Sequence, residues 1–120
     1  MSIVRTKPWP DLCREAFKDS AYLSLLQFIS DSDFANEIHG NVFLSGLLIS
    51  DAPEFEFGIH MLRITPQGQR RFLFSYTRGP GGSNDDAKKE VPEGEALETL
   101  DLFLKVKFGI NLKLRKANQA

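Results

Sequence analysis

Apolar residues along this chain follow a helical period first, an alternating one next, and both at once near the end. Trp9, Leu12, Cys13, Ala16 and Phe17 recur at i, i+3, i+4, i+7 and i+8, which is one face of a helix. Thr6 stands where a cap belongs, and Pro8 and Pro10 fall in the first turn, where a missing N–H does no harm. The phase breaks at Asp19-Ser20, so the pattern predicts a kink or restart with Ser20 as cap. Tyr22, Leu25, Leu26 and Ile29 then form a second apolar stripe. A further helical turn opening at Ser32 or Asp33 would pack Phe34 and Ile38. Gly40, tolerant of the left-handed cap conformation, is its expected stop.

From Asn41 the pattern changes to β. Asn41 to Ser50 is rich in Val, Leu, Phe and Ile and reads as one strand, with Gly46 as a bulge or a point of close approach. Asp51-Ala52-Pro53-Glu54 is a turn. Phe55, Phe57, Ile59 and Met61 alternate with Glu56, Gly58 and His60, a period of two. Thr65-Pro66-Gln67-Gly68 has the Pro and Gly of a tight hairpin connection. The returning strand, Arg70 to Arg78, puts Phe72, Phe74 and Tyr76 on one face and Arg71, Leu73, Ser75 and Thr77 on the other. The expected fold is α+β in a single domain over 1–120: N-terminal helices, a three-stranded antiparallel β-meander, and a C-terminal helix that covers it.

Residues 79–94 read as a mobile loop. It begins Gly79-Pro80-Gly81-Gly82-Ser83-Asn84 and continues through mixed charge, and a loop of this length is functional or disordered. The last segment carries two patterns. Ala96, Leu97, Leu100, Phe103 and Leu104 form a helical stripe, with Glu93, Glu95 and Glu98 near its positive end, Lys105 and Lys107 near its negative end, and Gly109 at the stop. Yet Leu100 to Leu114 also alternates. The preferred reading is a helix from Glu93 to Phe108 and a further strand over Ile110–Arg115; the other is a β-hairpin turning at Gly109-Ile110-Asn111. Residues 116–120 read as a disordered tail.

Composition narrows the function classes. Fifteen basic and 16 acidic residues leave a net charge of −1, which gives no support to nucleic-acid binding by bulk positive charge. One cysteine permits neither an internal disulfide nor a cysteine-built zinc site. The start, Met1 to Lys7, lacks the apolar run of a signal peptide, and no stretch approaches the ~20 apolar residues of a membrane span. A reducing, cytoplasmic setting is expected, with no membrane contact, cofactor or metal. The ten Phe residues are core builders first, although the sheet has more apolar face than the evident helices can cover.

Among chemistry-bearing residues, the arginines of the hairpin stand out. Arg63, Arg70, Arg71 and Arg78 cluster on two strands with Tyr76, and Arg and Tyr are interface-anchoring side chains. The plain reading is a solvated face balanced by Glu54 and Glu56. Gly81 and Gly82 follow a strand and precede a helix, as phosphate cradles do, but the P-loop ending is missing and Asp85 and Asp86 would repel phosphate. His39 and His60 lack ligand spacing, and Cys13 lies on an apolar stripe where thiols are inert. The carboxylate pairs Asp31/Asp33, Glu54/Glu56 and Asp85/Asp86 all fall in turns and loops.

These readings favour a small protein-binding module of the inhibitor, adaptor, immunity or chaperone type. It would act through its sheet face and the 79–94 loop, using Arg63, Arg70, Arg71, Tyr76, Arg78, Gly81 and Gly82, on another protein or a second copy of itself. The alternative is a nucleic-acid-binding domain using the Arg-bearing hairpin, since helix, three strands, helix is also the element order of double-stranded-RNA-binding domains. An enzyme joining His60, His39 or Cys13 to a carboxylate is the least favoured reading, and no catalytic residue is assigned.

Overall fold

The computed structural model describes residues 3–15, 23–32, 35–43, 46–79 and 87–109. In chain order the elements are β1 (Ile3–Arg5), α1 (Trp9–Glu15), α2 (Leu23–Ser30), β2 (His39–Phe43), β3 (Gly46–Ser50), β4 (Glu54–Glu56), β5 (Met61–Gln67), β6 (Arg71–Thr77), β7 (Ala87–Pro92) and α3 (Ala96–Phe108), the last entered through a 3-10 turn at Glu93–Glu95. β2-β3-β5-β6-β7 form a five-stranded antiparallel sheet, and β1 and β4 pair as a separate two-stranded ribbon. The class is α+β, but the three-stranded meander is corrected to five strands and a ribbon.

Each missed element has a physical reason. The segment read as one strand over Asn41–Ser50 falls in two paired strands, β2 and β3, and no turn is legible between them because Leu44-Ser45 lacks the Gly or Asn of a usual two-residue turn. β3 is buried throughout: Leu47 and Ile49 face the helices, and Leu48 faces the ribbon. The alternation from Phe55 to Met61 is not one strand, since residues 57–60 turn through Gly58 at φ 87° and His60 at φ 48°. Pro66 lies inside β5, not in a turn. β3 pairs only with residues 62–64, so Pro66 sits past the end of that ladder, where a missing N–H is tolerated. The turn itself is Gly68-Gln69-Arg70.

β7 replaces the second half of the segment read as a loop. Only Ala87, Lys89 and Val91 fall on its inward side, and Lys88-Lys89-Glu90 look like solvated chain. A charged edge strand blocks pairing with other chains, so polarity here is compatible with strand. Residues 80–86, including Gly81 and Gly82, lie outside the described residues, as do the Ile110–Arg115 strand and the 116–120 tail.

The inner face of the sheet and all three helices share one core. Trp9, Leu12, Leu25, Leu26, Ile29, Leu62, Ile64, Phe72, Phe74, Tyr76, Leu100, Phe103 and Leu104 are among its buried members. Burying each large side chain contributes about 1.5–3 kcal/mol, which is why the alternation on β6 locates this face correctly. Trp9 orients the N-terminal helices: its indole N–H donates to the carbonyls of Ala35 (3.1 Å) and Ile38 (3.0 Å). Gly40 is not a helix stop. It lies in β2, and a Cβ there would be 2.4 Å from the Leu48 carbonyl oxygen and 2.8 Å from the Trp9 ring. Nor does Thr6 cap α1; its hydroxyl donates to the Pro53 carbonyl (2.7 Å) and ties β1 to the turn before β4. α3 ends as its sequence suggests, on Gly109 at φ 68°.

Candidate functional site

The outer face of the sheet is covered unevenly. Val4 and Phe55 of the ribbon pack on Leu48 and Met61, which closes that face over β3 and the start of β5. Past Met61 the outward positions follow from the register: Arg63, Ser75 and Lys88 in one row, Thr65, Leu73 and Glu90 in the next, Gln67, Arg71 and Pro92 in the last. None of these nine residues is buried, and only Leu73 and Pro92 are apolar.

Three cationic side chains therefore share this face with one carboxylate. Arg71 and Glu90 are diagonal neighbours, and Arg71 Nε donates to Glu90 Oε2 at 2.7 Å. Both are half-exposed, so the pair adds only about 0–1 kcal/mol. Arg63 differs. It is partly buried, in the row of Leu48, and its Nε is closed to solvent with no hydrogen-bond partner among the described residues. A guanidinium remains charged, and an unmet buried donor costs about 1–3 kcal/mol. Lys88 is exposed two strands away, about 10 Å across the sheet.

The expected site residues thus divide. Arg63 and Arg71 share the outer face, two rows apart. Arg70 is exposed in the β5–β6 turn at φ 60°, and its carbonyl accepts the Glu93 N–H (2.8 Å). Arg78 is exposed at the end of β6. Tyr76 is on the opposite, inner face, only 3% exposed. Lys88 and Glu90 belong to the site but were hidden in a segment that reads as loop. The signal was the alternation of Ala87, Lys89 and Val91 with Lys88 and Glu90.

A second polar cluster sits at the end of the sheet where β6 leaves it. The Tyr76 hydroxyl is 2.5 Å from His60 Nδ1, and His60 Nε2 is 3.2 Å from Asp51 Oδ2. Because a carboxylate only accepts, Nε2 is the donor toward Asp51; in the neutral ring that tautomer leaves Nδ1 to accept from the Tyr76 hydroxyl. The His60 N–H donates to the Arg78 carbonyl (2.9 Å), and Ser50 Oγ donates to the His60 carbonyl (2.7 Å). Phe108 meets both rings, and the Lys107 ammonium lies 5.1 Å from the centroid of Tyr76. His60 is a non-glycine residue at φ 48°, a conformation that persists only where surroundings fix it. These bonds do so, and with Tyr76 closed to solvent the arrangement is a clamp joining three segments.

A cleft of about 480 Å3 opens beside α1, lined by Lys7, Trp9, Asn36 and His39 among others, with no carboxylate among the described residues of its wall. Cys13 is half-buried against the core. Burial pushes its thiol above the ordinary value, a Ser30 hydrogen bond opposes this, and the Asp31 charge adds to it. Among the described residues no three His, Cys, Asp or Glu side chains converge as metal ligands, and no helix is long and apolar enough to cross a membrane. No protein-family model matches this chain, no curated protein matches it, and no solved structure matches it.

Proposed function

We propose that this chain is a protein-binding module that takes an acidic segment of a partner on the outer face of β5, β6 and β7. The observation that carries the reading is Arg63: a charged donor, shielded from water and unmet, on a face that is otherwise open. Arg63 is only partly buried as a residue, so a carboxylate from outside can meet the guanidinium from its open side and balance its charge, and a charge-assisted hydrogen bond of that kind contributes about 1.5–3 kcal/mol. Lys88, about 10 Å away, gives a second contact, and Leu73 in the next row an apolar one. Arg71 is already held by Glu90, which fixes its direction and lends the face register.

The nucleic-acid reading has less support. Sheets that bind bare bases present aromatic rings for stacking, and the described outer face of β5–β7 has none. The element order that suggested double-stranded RNA no longer applies, since the sheet has five strands. The test is fluorescence anisotropy with labelled Asp/Glu-rich peptides, and with single- and double-stranded oligonucleotides, at low salt. Peptide binding that weakens about tenfold or more in Arg63→Gln supports the proposal. Oligonucleotide binding without peptide binding refutes it.

A further inference from the structure

α3 buries one side against the inner face of the sheet and leaves a mixed stripe on the other. Leu102, at the midpoint of Ala96–Phe108, is 48% exposed and Val106 is 63% exposed. At 100° per residue, Glu98 and Lys105 flank Leu102 on one side of the stripe and Val106 lies on the other. Both charged residues are exposed. Seven residues separate them, about 10 Å along the axis, so they do not pair within one helix.

We infer that α3 is a self-association surface and that its occupant is a second copy of this chain, packed antiparallel about a two-fold axis at Leu102. The argument is charge complementarity under that symmetry. Glu98 lies four residues before Leu102 and Lys105 three after it, so inverting one helix brings Glu98 within about 1.5 Å, along the axis, of the partner's Lys105. The two-fold keeps both groups on the same flank. Each Glu98 therefore meets a lysine, twice per dimer, while Leu102 meets its own copy and Val106 fills the opposite flank. A parallel two-fold would place the two Glu98 side chains at one height on opposite flanks, each facing the partner's Val106 flank with no lysine, and gains nothing. One short helix face is a small interface, so the dimer is weak and concentration-dependent. α3 lies across the sheet from the Arg63 face, so the dimer leaves both of those faces open; neither proposal depends on the other.

The test is sedimentation equilibrium of the full chain from about 10 µM to about 1 mM at low salt. A reversible monomer–dimer equilibrium is expected. Leu102→Glu abolishes it, Glu98→Lys weakens it about tenfold, and Glu98→Lys with Lys105→Glu restores it. All three sites of change are exposed helix positions, and far-UV circular dichroism verifies that each variant is folded. A wild-type chain that stays monomeric throughout the range overturns the inference. So does a dimer indifferent to Leu102→Glu, or one that the double exchange fails to restore.

Discussion

Gly40→Ala removes the one position where β2 lets both a strand and a ring approach. The added methyl would lie 2.4 Å from the Leu48 carbonyl oxygen and 2.8 Å from Trp9 Cη2, both well inside van der Waals contact. Overpacking of a well-filled core costs about 1–3 kcal/mol. Here the nearer obstacle is backbone, which cannot rotate away, so the upper end applies and we expect a loss of about 3 kcal/mol. For a chain of this length that lowers Tm by roughly 10 °C. Urea unfolding followed by far-UV circular dichroism measures it, and the single tryptophan gives a local probe at the same place. Trp9→Phe in the Gly40→Ala background relieves the ring contact but not the carbonyl one. The double variant should therefore recover little beyond what Trp9→Phe itself costs. A Gly40→Ala chain within about 0.5 kcal/mol of wild type, or full rescue by Trp9→Phe, would refute this account of how α1 sits on the sheet.

Other expectations concern single sites. Arg63→Met removes an unmet donor and should leave the free chain unchanged or about 1 kcal/mol more stable; a loss above 1 kcal/mol would mean that Arg63 Nε has a partner. Gln69 and Arg70 stand at φ 65° and 60°, where L-residues cost about 1–2 kcal/mol, so Arg70→Gly, and to a smaller extent Gln69→Asn, should raise the urea midpoint. The Arg70 carbonyl bond to Glu93 is backbone and survives the change. Cys13 should react with iodoacetamide more slowly in the folded chain than in urea at the same pH, because burial holds its thiol protonated. Its raised value also means that its contribution to stability is complete below the ordinary thiol range. That contribution is lost as pH rises through that range toward the raised value, so Cys13→Ala should flatten the alkaline arm of a stability–pH profile.

Local period proved informative where one residue type dominated one face. Phe72, Phe74 and Tyr76 against Arg71, Leu73, Ser75 and Thr77 can be divided between core and surface from sequence, and Arg63 and Arg71 lie on one face. Tyr76 was grouped with them by proximity along the chain, although its own alternation put it on the other face. β7 escaped notice because an edge strand needs few apolar residues and gains from charged ones. β1 has three residues and makes sense only with β4, some fifty positions away. The Asp51–His60–Tyr76 clamp depends on a left-handed turn at His60, which no residue type there announces. Such features come from long-range pairing, and no window of neighbouring residues contains them.

The outer-face reading is tested most directly by titrating a labelled Asp/Glu-rich peptide into wild-type chain, Arg63→Gln and Lys88→Gln at rising salt. The account predicts saturable binding that falls with salt, a loss of about tenfold or more in Arg63→Gln, and a smaller loss in Lys88→Gln, whose charge is exposed. Binding that is equal in all three proteins, or absent from the wild type at low salt, would contradict it.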